Sequence, residues 1–168
     1  MKFYTTTRLL ASYLGLATSI VANSPLFAAE RVQNEAMLQA GHRSDTEIKV
    51  EVMKVLDEFM AAINRKDMGA REATFHFPHY RLASGKMTVL DRPGLQELTN
   101  IGAKGERSHH SAWDHRRIIH LSQDKVHVDT MFTRYRADGS KIGSAESLYI
   151  VTKENGHWGI KMRSSFAD

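Results

Sequence analysis

The stretch that decides the fold is residues 112–166, AWDHRRIIHLSQDKVHVDTMFTRYRADGSKIGSAESLYIVTKENGHWGIKMRSSF. Apolar and polar residues alternate here in four runs, and this period of two predicts β-strands. Asp138-Gly139 and Asn155-Gly156 are hairpin turn signals between runs. The predicted strands, which together form an antiparallel meander, are Ala112–Leu121, Lys125–Arg136, Ser144–Lys153 and His157–Phe166.

The segment before the meander opens with the strongest helix signal in the chain. Ser44-Asp45-Thr46-Glu47 is a capping box, in which a hydroxyl and a carboxylate satisfy the free N–H groups of a helix start. The predicted helix runs to about Lys66, and its apolar residues recur three or four apart. These residues are Ile48, Val52, Val55, Leu56, Phe59 and Ile63. Helices followed by an antiparallel meander predict an α+β fold.

Shorter elements are predicted between the helix and the meander. Asp67-Met68-Gly69 breaks the helix, residues 70–76 are expected to form a second one, and Pro78 is expected to end it. Residues 79–90 alternate around a turn and predict a small hairpin. A third helix over residues 93–100 and a loop over 101–108 complete the prediction.

The N-terminal residues have the pattern of a signal peptide. Residues 1–29 carry two basic residues and no acidic one, then an apolar run, a proline and small residues. Cleavage is expected between Ala28 and Glu30, which predicts a periplasmic or secreted protein. The alternative is an uncleaved N-terminal anchor. Residues 30–43 are interpreted as a lead-in segment, and residues 44–168 as the single folded domain.

Composition narrows the classes of function. The formal net charge of +4 falls to +2 without Lys2 and Arg8, and no Lys/Arg block resembles a nucleic-acid-binding surface. The absence of cysteine excludes disulfides, a thiolate nucleophile and a lipoprotein anchor. His109-His110 and Asp114-His115 match no standard zinc spacing, so no metal is predicted. There is no glycine-rich phosphate loop and no serine-hydrolase elbow.

Four segments resemble the NTF2-like, or SnoaL-like, proteins. Residues 59–67 (FMAAINRKD) resemble the end of that family's first helix, and residues 156–160 (GHWGI) with 164–166 resemble its last strand. Residues 77–85 (FPHYRLASG) and 132–140 (FTRYRADGS) resemble an exported subgroup. The resemblance covers about residues 45–167. It implies a cone whose wall is a curved sheet and whose mouth is lined by helices. Enzymatic members bind a small apolar substrate there and transfer protons through buried Asp, His or Tyr, whereas others only bind.

Two pairs of residues are candidates for the site. His127 and Asp129 lie two apart on a predicted strand and share a face, as a proton-transfer pair would. Their alternative is an exposed or dimer-facing strand edge. His79 and Arg81 also share a face, and they suit an anionic or carbonyl-bearing ligand. The alternative for Arg81 is a buried structural ion pair.

Two further ligand-binding candidates lie on the last two strands. Arg163 falls on the polar side of the alternation, with Gly159, Lys161 and Ser165, where a surface ion pair is the common outcome. A strongly curled sheet would bring it to a cavity. Tyr149 offers a hydroxyl at mid-strand, or else is a satisfied core tyrosine.

These observations lead to two hypotheses of function. The first is a cofactor-independent isomerase, dehydratase or cyclase, in which His79, His127 or Asp129 moves protons and Arg81, Tyr149 or Arg163 positions the substrate. The second is a non-catalytic ligand-binding or dimerisation module. Either would hold a small apolar or carbonyl- or carboxylate-bearing molecule, and neither would bind nucleic acid or, after cleavage, a membrane. Because both sides of several predicted strands are apolar, a homodimer through the open sheet face is expected.

Overall fold

The computed structural model describes residues 25–41, 43–94 and 108–167. The chain divides into two compact units, residues 1–41 and 42–168. In the first unit the described element is helix α1 (Pro25–Gly41), which includes the predicted cleavage site. Most of the predicted signal peptide and of the third helix lies outside the described residues. None of the described helices is long and apolar enough to cross a membrane.

The second unit has the α+β architecture that the sequence predicts. Its helices are α2 (Asp45–Arg65) and α3 (Met68–Glu72). Its strands are β1 (Phe75–Ala83), β2 (Lys86–Leu90), β3 (His110–Leu121), β4 (Lys125–Tyr135), β5 (Lys141–Glu154) and β6 (His157–Ser165). They form one sheet in the order β2-β1-β6-β5-β4-β3. All neighbours are antiparallel except β1 and β6, which are parallel.

Helix α2 begins where the capping box predicts. The Ser44 hydroxyl accepts the N–H of Glu47 at 3.2 Å, and the Glu47 carboxylate accepts the N–H of Ser44 at 2.9 Å. The apolar face of α2 packs on one face of the sheet, which we call the inner face. Rings from both elements meet there, because the ring of Phe59 lies 5.9 Å from that of Phe75 and 5.6 Å from that of Tyr149.

The predicted helix over residues 70–76 is wrong in its bounds. The Asp67 side chain caps α3 by accepting the N–H of Ala70 at 2.9 Å, so the helix starts earlier and ends at Glu72. Pro78 does not end a helix. It lies inside β1, where the pairing with β6 is interrupted between Phe75 and Tyr80, a place that suits a residue without an N–H group. The predicted hairpin over residues 79–90 is confirmed as β1 and β2.

On the other face of the sheet, which we call the outer face, one close contact depends on a glycine. Nδ1 of the buried His76 ring is hydrogen-bonded to the Thr152 hydroxyl at 3.0 Å. The same ring lies against Gly159. A Cβ atom at position 159 would come within 2.7 Å of the ring. Glycine is therefore the residue that lets β1 carry a histidine here.

We expect Gly159→Ala to lower the free energy of unfolding by about 1–3 kcal/mol, because the added methyl group overpacks the His76 contact. Gly143→Ala on β5 is the matched control, since its Cβ would meet no atom within 4 Å. Urea denaturation of both variants measures the difference. Equal stability of the two variants would contradict the interpretation.

Candidate functional site

A bulge in β6 decides where Arg163 points. Val151 pairs with Ile160 but its neighbour Ile150 pairs with Met162, so Lys161 is an extra residue in the strand. The extra residue reverses the alternation, and Arg163 joins Ile160 on the inner face. Arg163 is buried, with 8% of its surface exposed. Strict alternation predicts a surface position for Arg163. That prediction is wrong, because the extra residue lies between the core residue Ile160 and Arg163 and moves Arg163 to the inner face.

Strand pairing brings three of the predicted site residues together. Arg81 on β1 and Tyr149 on β5 are both the direct neighbours of Arg163 on β6. His79 lies two residues before Arg81 and shares its face. All four line one gap in the inner wall, together with Phe59, Arg71, Phe75 and Ile160. The gap is too narrow to admit a water molecule.

Arg71 is the site residue that the sequence analysis did not identify. It lies on α3, and its guanidinium carbon is 5.7 Å from the ring centre of Phe59 and 6.0 Å from that of Phe75. Burial, then the charge of Arg163, lowers the pKa of Arg71 to about 10. No local sequence pattern identifies this side chain. The sheet and α2 determine which side of α3 is buried, and α3 itself is only five residues long.

His79 is a neutral imidazole with one fixed hydrogen bond. Only 2% of its surface is exposed, and its ring stacks on Phe75 at 3.9 Å. Nδ1 lies 2.9 Å from the Ile160 carbonyl oxygen, which can only accept, so Nδ1 carries the proton and Nε2 is an acceptor. Burial, with smaller contributions from the charges of nearby arginines, lowers the pKa of His79 to about 4, despite the opposing hydrogen bond to Ile160.

Tyr149 is the central hydroxyl of the cluster. It is 1% exposed, and the guanidinium carbon of Arg163 lies 5.4 Å from its ring centre. Burial raises the pKa of Tyr149, while the charges of Arg163, Arg71 and Arg81 oppose that shift. The side chain is therefore an uncharged phenol at neutral pH.

Positive charge dominates this part of the inner wall. Within residues 43–94 and 108–167, no carboxylate lies within 4.0 Å of Arg71, Arg81 or Arg163. Arg163 donates to the Ser165 hydroxyl at 3.0 Å. The Glu72 carboxylate favours the charged form of Arg71 from a distance, but accepts the Gly94 N–H at 2.7 Å. The described part of this cluster is therefore positively charged, and such a field favours an anion over a cation.

His127 and Asp129 lie on the outer face, away from this cluster. Asp129 accepts from Arg117 at 2.6 Å and lies 3.4 Å from Nε2 of His115. The hydrogen bond from Arg117 is the main reason that the pKa of Asp129 is lowered. The ring of His127 contacts that of His120 at 5.5 Å. The sheet separates this pair from His79, so the two predicted groups cannot act on one substrate, and the proton-transfer role of the pair stays a prediction.

The described residues contain no group of three or more His, Asp or Glu side chains placed to hold a metal ion. The rings of His109 and His110 contact each other at 5.6 Å, and His110 stacks on Tyr135 at 4.9 Å. Ring packing therefore explains why these two histidine side chains lie together.

The profile of the family described as "NTF2-like protein (DUF6841)" matches residues 46–164. The chain belongs to this NTF2-like family. The predicted resemblance is confirmed, and no curated protein matches the sequence.

Solved structures confirm the NTF2-like fold. A cystatin-like-fold protein of unknown function from Nostoc punctiforme matches with a TM-score of 0.60 and 18% identity, over 71% of this chain and 90% of that one. A ketosteroid isomerase-like protein from Erwinia carotovora matches at 0.55 and 19%, over 70% and 93%. A hexachlorocyclohexane dehydrochlorinase from Novosphingobium barchaimii matches at 0.55 and 12%, over 71% and 86%. At these identities the likeness concerns the fold alone.

We expect His79 to make the NTF2-like domain less stable in acid. Its pKa is about 4 in the folded state and 6.5 in the unfolded chain, so between these values only the unfolded state takes up the proton. The free energy of unfolding therefore falls as the pH drops from about 6.5 towards 4, by about 3 kcal/mol for this group. His79→Gln does not titrate and can still donate to the Ile160 carbonyl.

Urea denaturation at pH 7.5 and pH 4.5 measures this loss. We expect the loss to be about 2 kcal/mol smaller in His79→Gln than in the wild type. His120→Gln, at an exposed position, is the matched control for replacing a histidine by a glutamine. An unchanged loss in His79→Gln would show that His79 does not titrate abnormally.

Proposed function

We propose that this protein binds a small organic molecule in the interior of the cone and does not transform it. The observation that carries the proposal is the polar cluster on the inner wall. Apolar packing alone would not place Arg81, Arg163, His79 and the Tyr149 hydroxyl at the centre of the sheet. Ligand pockets in proteins combine an apolar lining with a few convergent polar groups, as here.

The chemistry of the cluster favours binding over acid–base catalysis. A general base works best with a pKa near the operating pH, and the pKa of His79 is about 4. Nδ1 of His79 is already bonded to a backbone carbonyl rather than to a carboxylate that would orient a catalytic imidazole. Among the described residues that line the gap, none is a carboxylic acid. These features support the second of the two hypotheses, the binding module.

Tyr149→Phe tests the binding site with little change in shape. A thermal-shift screen of small organic acids and their amides on the whole chain supplies the probe compound. We expect the variant to bind that compound about 5- to 10-fold more weakly, since one buried hydrogen bond is lost. Tyr80→Phe, on the outer face, is the matched control and should bind like the wild type. Equal affinity in both variants would place the compound elsewhere.

We further propose that the exported protein is a homodimer joined through the outer face of the sheet. Leu82, Met87 and Val89 are exposed apolar residues of β1 and β2, and Leu82 pairs directly with Met87 across the two strands. An apolar sheet surface of this kind favours association, and a second copy offers a self-complementary one.

Native mass spectrometry of protein recovered from the producing cell tests export and assembly together. We expect the mass of two chains that each begin at residue 29 or 30, because the signal peptide has been removed. A single chain at high micromolar concentration would contradict the dimer. A chain beginning at Met1 would contradict export by cleavage.

A further inference from the structure

Three buried N–H groups on the inner face have no hydrogen-bond partner among the described residues. One is the indole N–H of Trp113, and the other two are the Nε–H groups of Arg71 and Arg163. Both arginine side chains line the same gap beside Tyr149. Buried polar groups of native proteins are nearly always paired, so two unpaired guanidinium donors in one place indicate an acceptor that the described residues do not supply.

The two donors belong to guanidinium groups that lie over aromatic rings. Arg71 lies over the rings of Phe59 and Phe75. The guanidinium carbon of Arg163 lies 5.6 Å from the ring centre of Phe132 and 5.4 Å from that of Tyr149. These uncharged rings do not balance the positive charge of the two guanidinium groups, and the Nε–H groups remain available to a ligand.

Charge specifies the kind of acceptor. Arg71, Arg81 and Arg163 share one apolar interior, and no carboxylate of the described residues pairs with any of them. A neutral acceptor would satisfy the N–H groups but leave the charge unbalanced. An oxyanion satisfies both, and a guanidinium group matches the planar, two-oxygen geometry of a carboxylate.

We propose that Arg71 and Arg163 together bind the carboxylate of an organic acid, whose apolar part lies against the aromatic rings of the inner wall. This inference rests on the proposed function and names the chemical class of the ligand. The Tyr149 hydroxyl is placed to donate a further hydrogen bond to the same carboxylate.

Entry requires a side chain to move, because the gap does not admit a water molecule. Arg81 is the side chain that can do so at the least cost. It is half-buried, and it makes no hydrogen bond or ion pair with any residue that the structure describes. Once displaced, Arg81 remains within reach of the bound anion as a third positive charge.

Matched pairs of acids and amides test the inference on the whole chain by titration calorimetry. The probes are acetate, hexanoate, benzoate and phenylacetate, each with its amide, which has almost the same shape and no charge. We expect at least one acid to bind about 10-fold or more tightly than its amide. Arg71→Met and Arg163→Met should each remove most of that preference, while Arg65→Met, at an exposed position, should keep it.

The outcomes separate the two proposals. If an acid and its amide bind equally well in the wild type, the carboxylate inference is overturned and the proposed function stands. The same holds if the preference survives in both Arg71→Met and Arg163→Met. If no acid and no amide binds, both the inference and the proposed function fail. The wild-type comparison needs no variant to fold, and circular dichroism verifies the fold of the variants.

Discussion

A cluster of positive charges that no carboxylate of the described residues pairs with, set in an apolar interior, is the constraint on which the rest of this structure depends. Removing one ion from water costs several kcal/mol when no counter-ion accompanies it. Ring contacts of the kind made by Arg71 and Arg163 return about 0.5–2 kcal/mol each. Since a domain of this size is typically stable by only about 5–15 kcal/mol, such a cluster is a large local cost. A cost of this size at one place is typical of a functional site.

Three features of the fold position the arginine side chains of that cluster. The bulge at Lys161 turns Arg163 inward, the parallel pairing of β1 with β6 sets Arg81 beside it, and the short α3 carries Arg71 over the same region. Their combination brings residues that are far apart in sequence together on one wall. NTF2-like relatives share the sheet and the helices, so the particular chemistry here lies in the side chains of the wall rather than in the fold.

The sequence predicts the parts of this arrangement that have local causes. The capping box at Ser44, the apolar face of α2 and the hairpin turn signals were sufficient for the fold class, because each acts within a few residues. The side of the sheet on which Arg163 lies was predicted wrongly, since a bulge of one residue leaves no trace in the alternation before it. Arg71 was missed because it is buried by tertiary contacts with α2 and β1, which no local pattern in the sequence shows. His79, Arg81 and Tyr149 were found by residue type and parity, and the structure brings them together.

The free energy of unfolding of Arg71→Met/Arg163→Met, measured by urea denaturation with no ligand added, tests the central claim most directly. If the two arginines bind an external anion, the double variant should be as stable as the wild type or more stable, because it lacks two like charges and two unpaired donors. If they are instead structural members of ion pairs, the double variant loses about 3–5 kcal/mol, as expected when a buried charge loses its partner. That loss would contradict the account of the inner wall as an anion-binding site.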